Sequence, residues 1–108
     1  MTYKTYFLLS LLAILLATST ANAQPKFKIV KLAKGVYAAI RTEPPGLTVN
    51  ANSVFIINDS DVVVVDTTLT PGTARETIAA LKQLTNKPVK YVINTHWHDD
   101  HIMGNQAY

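Results

Sequence analysis

The chain has 108 residues, a formal charge of +3 and no cysteine, which bounds it to about one domain and excludes a disulfide framework. Its positive charge is mild and scattered. Lys26, Lys28 and Lys31 alternate with apolar residues as a solvated strand face would, and no basic patch argues for nucleic acid.

The first stretch reads as a leader. Met1 to Tyr6 carries one positive charge, Lys4, and precedes the apolar run Phe7 to Ala17. The polar segment Thr18 to Asn22 then leads into Ala21-Asn22-Ala23, a small-x-small cleavage pattern before Gln24. The apolar run is about 11 residues, against the roughly 20 a membrane-spanning helix needs. Residues 1–23 therefore read as a cleaved signal peptide rather than a retained anchor. The mature chain, 24–108, is expected in the periplasm or outside the cell, with no membrane association. About 85 residues remain after cleavage, enough for a small domain with a limited core.

From Phe27 to Leu32 apolar and basic residues alternate, Lys34-Gly35 signals a turn, and Val36 to Ile40 resumes the extended pattern, so this is a hairpin. The segment Thr42 to Ala51 contains Pro44-Pro45-Gly46, which excludes a regular helix or central strand. Within it, Glu43 to Ala51 reads either as a flap over a site or as plain connection. Ser53 to Ile57 and Val62 to Val65, separated by Asn58-Asp59-Ser60-Asp61, form a second hairpin whose strands are apolar enough for burial on both faces.

Thr70-Pro71 starts a helix, since threonine caps and proline suits the first turn. Ala74, Ile78, Leu81 and Thr85 follow at helical spacing with Arg75, Lys82 and Gln83 facing away, and Asn86-Lys87-Pro88 ends the helix. Val89 to Asn94 is one more strand, and His101 to Ala107 opens a further helix. The crossover from the strand ending at Asp66 to the strand ending at Asn94 favours a parallel pair. Asp66 and His96 then emerge at the same sheet edge, the carboxyl ends where such folds bind ligands.

All three histidines of the chain lie between positions 96 and 101, beside Asp99 and Asp100. Imidazole nitrogen and carboxylate oxygen are donors that zinc and similar divalent ions prefer. In an extended loop His96, His98 and Asp100 share a face, and a turn after Asp100 is needed to return His101 to it. Four ligands in one loop exceed what a single open catalytic ion takes. The economical arrangement is two neighbouring ions, with His96 and His98 on one and Asp100 and His101 on the other. A surface histidine cluster or storage tract is the alternative, but storage tracts are repetitive and this loop directly follows a buried strand. It also lacks the glutamate of the helical H-E-x-x-H pattern.

Thr95-His96-Trp97-His98-Asp99-Asp100-His101, followed by Gly104-Asn105, resembles the T-H-x-H-x-D-H signature of the metallo-β-lactamase superfamily, and Val62 to Thr67 resembles that family's strand ending in aspartate. The resemblance covers nearly all of 27–108. It implies an α/β fold, the N-terminal half of an αββα sandwich. It implies two Zn2+ ions, metal 1 on His96 and His98 and metal 2 on Asp100 and His101, with Asp66 and Thr95 behind the ligands. Asp66 would order the loop by hydrogen bonding, although a capping or turn aspartate is an equal reading. The family's further ligands, a histidine to metal 1, an aspartate or cysteine near both ions and a last histidine to metal 2, have no counterpart in this sequence. The chain accordingly reads as C-terminally truncated.

The implied chemistry is hydrolysis of an ester, thioester or amide in a small-molecule substrate. The ions acidify a water and stabilise developing charge, and Asp100 orients the nucleophile. The Asp100-His101 pair is like that of glyoxalase-II-like members and one β-lactamase subclass. Hydrolysis of β-lactams specifically is one alternative, and a non-catalytic metal-binding remnant is another. An uncovered sheet side would bring poor solubility or dimerisation. Of the neighbouring residues, Trp97 is expected to pack behind the loop, Asp99 to be solvated or capping, and Gly104 to allow close backbone approach.

Overall fold

The computed structural model describes residues 27–42 and 50–108. The expected leader, 1–23, and most of the Glu43–Ala51 loop lie outside the described residues.

Strands β1 (Phe27–Ala33) and β2 (Val36–Arg41) pair antiparallel, with Ile29 opposite Ala39 and an irregularity between Lys31 and Ala33. Gly35 makes their turn with φ 72°, a left-handed conformation that glycine adopts without steric cost. A side chain there would also strike the Ile57 carbonyl oxygen, 2.7 Å from where its Cβ would stand. Strand β3 (Ser53–Ile57) pairs antiparallel with β2, and β4 (Val62–Val65) antiparallel with β3. Asn58 Nδ2 donates to Asp61 Oδ1 at 2.8 Å within the β3–β4 turn, the local side-chain bonding that favours these residues in turns.

Helix α1 (Pro71–Leu84) then crosses to β5 (Val89–Ile93), which lies parallel to β4 with Val64 opposite Val92. The result is one five-stranded sheet in the order β1-β2-β3-β4-β5. The helix begins as its sequence requires. Thr70 Oγ1 accepts from the Thr73 N–H at 3.1 Å, Thr73 Oγ1 accepts from the Thr70 N–H at 3.2 Å, and Pro71 fills the first turn. It ends at Thr85, whose N–H reaches the Leu81 carbonyl.

Ala74, Thr77 and Leu81 form the buried stripe of α1. Thr77 is a polar residue inside an apolar face, and its hydroxyl is satisfied by donating to the Thr73 carbonyl at 2.8 Å. Leu81 packs into a core of Phe27, Ala39, Phe55, Val62 and Val64, with Tyr37, Val92 and Tyr108 against it. Each fully buried Phe, Val or Leu side chain contributes about 1.5–3 kcal/mol.

Burial on both faces of β3 and β4, expected from their composition, does not hold. Phe55, Val62 and Val64 are buried, but the alternate residues Val54, Ile56, Val63 and Val65 are only partly covered. The register sets Val63 beside Tyr91 and Val65 beside Ile93, and both of the latter are more than half exposed. Because side chains alternate along a strand, these residues form the face opposite α1. The fold is thus a mixed α/β layer pair, one sheet with a helix on one side.

The helix expected over His101–Ala107 is also placed differently. A one-turn helix, α2, spans Asp99–Ile102, and a 3₁₀ turn follows at Asn105–Ala107. The extended loop therefore stops at His98, the N-cap of α2, and Asp100 reaches the site from a helical turn.

Candidate metal centre

The carboxyl ends of the parallel strands β4 and β5 carry the site. After Val65 the chain turns sharply, with φ 59° at Asp66 and 73° at Thr68. Left-handed backbone at non-glycine residues costs about 1–3 kcal/mol each and persists only where surrounding contacts fix it. Here those contacts are plentiful. Asp66 N donates to the Ile93 carbonyl, Thr67 N to the His101 carbonyl and Gly104 N to the Thr68 carbonyl. Thr68 Oγ1 lies 2.7 Å from Thr73 Oγ1 at the start of α1.

Asp66 is buried and ties β4 to the histidine loop. Its Oδ1 accepts from the Thr95 N–H at 2.8 Å, and its Oδ2 accepts from the Thr95 hydroxyl at 2.8 Å. The same Oδ2 lies 2.8 Å from His101 Nδ1. Burial pushes the Asp66 carboxyl upward, but the hydrogen bonds from the Thr95 amide, His101 and the Thr95 hydroxyl outweigh it. The group is held below the ordinary carboxylate value.

These bonds set the ring nitrogens. Because the Thr95 hydroxyl spends its single proton on Asp66, its oxygen can only accept from His96 Nδ1, 3.0 Å away. His96 is then protonated at Nδ1 and turns Nε2 outward. His101 likewise keeps its proton on Nδ1 against Asp66, leaving Nε2 free as a ligand. His98 stands at the N-cap of α2 without capping it.

The four ligand candidates gather in pairs. His96 Nε2 and His98 Nδ1 are 3.0 Å apart, and His101 Nε2 is 3.5 Å from Asp100 Oδ2. The His96 and His101 rings join the two pairs, with centroids 3.9 Å apart. Among the described residues no group of three or more His, Cys, Asp or Glu side chains is set to hold one ion. Each pair is about half of a tetrahedral shell. The donor types, imidazole nitrogen and carboxylate oxygen, suit a zinc-class ion.

The remaining residues of the loop divide clearly. Trp97 does not pack behind the loop. It is 77% exposed and touches only the His98 ring edge-on among the described aromatic contacts, at 4.7 Å. Asp99 is exposed in the first turn of α2. Gly104 is buried, and a Cβ there would strike the Thr67 carbonyl oxygen and lie 2.8 Å from Ala74 Cβ, so two turns meet backbone to backbone. Asn94 and Asn105, neither of which the sequence marks as functional, join the loop's support: Asn94 Nδ2 donates to the His101 carbonyl, and Asn105 Nδ2 donates to Asn94 Oδ1. They lie on separate elements, and only Asn105's place beside the histidine motif hinted at them.

The family model of the metallo-β-lactamase superfamily matches residues 46–108. The linear primary-alkylsulfatase of Pseudomonas sp. (strain ATCC 19151) is 34% identical over 47 residues, 44% of this chain and 9% of that protein. The crystal structure of a metallo β-lactamase from Erythrobacter litoralis with β-mercaptoethanol in its active site superposes with a TM-score of 0.62 at 25% identity, over 76% of this chain and 37% of that one. The chain thus spans well under half the length of either relative.

Proposed function

The chain belongs to the metallo-β-lactamase superfamily, and from that premise we propose that it carries part of the metal site of an exported, zinc-dependent hydrolase acting on an ester, thioester or amide bond of a small molecule. The observation that carries this reading is the gathering of His96, His98, Asp100 and His101 at the ends of β4 and β5, with ring nitrogens and a carboxylate oxygen facing one another in pairs. His96 and His98 would hold one ion, and Asp100 and His101 a second.

A divalent ion bound there supplies Lewis acidity, lowering the pKa of water and polarising the scissile bond. The chain's own residues do the rest. Asp66 and Thr95 hold the loop against the sheet edge and direct the protons of His96 and His101 away from the ligand nitrogens. Asp100 orients the attacking water with its carboxylate. Trp97, exposed beside His98, offers an apolar surface to the organic part of a substrate.

A second reading, hydrolysis of an alkyl sulfate ester, is supported by the local identity with the alkylsulfatase. Hydrolysis of β-lactams and metal binding without catalysis are outcomes the same experiment separates. The full-length protein is assayed with zinc on p-nitrophenyl esters, a thioester, an alkyl sulfate and nitrocefin, before and after chelation. Hydrolysis of one substrate class that is lost on chelation and in Asp100→Ala supports the reading. Turnover that survives both defeats it.

A further inference from the structure

The main-chain carbonyl of His101 is approached from three directions. Thr67 N–H donates to it at 2.9 Å, Asn94 Nδ2 donates at 2.7 Å, and Thr67 Oγ1 lies 3.1 Å away. The Thr67 hydroxyl has one proton, and its shorter contact is with Asn105 Oδ1 at 2.6 Å. The proton therefore goes to Asn105. Asn105 and Asn94 meet as a reciprocal amide pair. Asn105 Nδ2 donates to Asn94 Oδ1 at 2.8 Å, and Asn94 Nδ2 donates to Asn105 Oδ1 at 3.2 Å.

Each amide has one orientation that works. Turning Asn94 over would set its oxygen against the His101 carbonyl, acceptor against acceptor. Turning Asn105 over would set its NH₂ against the NH₂ of Asn94. The network is directional and closed around one carbonyl oxygen.

Three elements contribute to it. Asn94 follows β5, Asn105 opens the 3₁₀ turn, and Thr67 sits between the two left-handed residues after β4. Thr67 is fully buried, so its hydroxyl is placed by the fold rather than by solvent. The residue they grip is the one whose ring lies between Asp66 and Asp100.

We propose that Thr67, Asn94 and Asn105 are positioning residues for His101, a clamp that fixes its backbone so that Nδ1 stays on Asp66 and Nε2 stays turned toward Asp100. The functional consequence rests on the reading of His101 as a metal ligand. The clamp itself concerns ring orientation in the metal-free chain. Loss of contacts of this kind behind a metal ligand weakens metal binding by about 10–100-fold.

The test is ¹⁵N NMR of histidine-labelled full chain without metal, at a pH where the imidazoles are neutral, paired with zinc competition titration. Thr67→Val, Asn105→Asp and Asn94→Asp are compared with the unchanged chain and with Thr67→Ser, which keeps the hydroxyl. The unchanged chain and Thr67→Ser are expected to hold His101 as the Nδ1–H tautomer. Thr67→Val and the two aspartate variants are expected to show mixed tautomers and zinc binding weaker by about 10-fold or more. Unaltered His101 ring nitrogens in Thr67→Val overturn the proposal, and because valine and serine keep the backbone donor, that comparison stands even where an aspartate variant fails to fold. Absence of zinc uptake by the unchanged chain overturns the metal-site reading instead, and the tautomer comparison still decides the clamp.

Discussion

Asp66 Oδ2 lies 2.8 Å from His101 Nδ1, so the residue that follows β4 touches the residue that ends the histidine motif. The same carboxylate holds the Thr95 amide and hydroxyl. One buried acid thus links the sheet to the loop and fixes which imidazole nitrogen faces out. Its two oxygens accept every bond they are offered.

Asp66→Asn keeps the shape but replaces one accepting oxygen with an NH₂, which cannot receive the Thr95 and His101 protons together. Hydrogen bonds to charged groups contribute about 1.5–3 kcal/mol, so a stability loss in that range is expected in a denaturant titration. Zinc binding is expected to weaken by about 10–100-fold, read by competition with a chelating dye. Asp66→Ala should cost more, because the Thr95 N–H also loses its acceptor.

Two glycines should respond in opposite senses to alanine. At Gly104 the new Cβ collides with the Thr67 carbonyl oxygen, and backbone must move. A loss of about 3 kcal/mol or more is expected, with weakened metal binding as the 3₁₀ turn shifts. At Gly72, in the first turn of α1, the nearest atom is Thr70 Oγ1 at 3.6 Å, an ordinary contact. Gly72→Ala should leave the fold intact and raise stability by about 0.4–1 kcal/mol. Thermal melts of the two variants side by side check both.

Trp97 is the chain's single tryptophan and lies beside the His98 ring, so its fluorescence reports on the site. Zinc addition is expected to change its emission in the unchanged chain and not in His98→Ala. Trp97→Phe should alter stability by no more than about 0.5 kcal/mol, as an exposed position does.

Much of this architecture is legible in the sequence. The alternation in 27–40, the β-branched runs in 53–65 and the Thr70-Pro71 start are local signals, and they placed both hairpins, α1 and the parallel crossover. The histidine spacing brings His96 to His98 and His101 to Asp100, and metal binding by those pairs is the proposal that zinc titration tests. What escaped depends on tertiary context. Val63 and Val65 read as buried because valine is apolar on either face, and only the position of α1 decides which face is covered. The bulk of Trp97 favours packing, whereas its outward direction is set by the bend that precedes α2. The Asn94–Asn105 pair forms only once two turns close, so the pairing is not visible in the sequence even though Asn105 stands beside the histidine motif.

The central claim is that His96, His98, Asp100 and His101 hold divalent metal. The most direct measurement is the ¹⁵N spectrum of the labelled imidazoles in the full chain on titration with zinc. His96 Nε2, His98 Nδ1 and His101 Nε2 are expected to shift on zinc addition, with the Nδ1 protons of His96 and His101 retained. Zinc uptake that leaves those three nitrogens unmoved, or no uptake at any concentration that keeps the protein in solution, would contradict it.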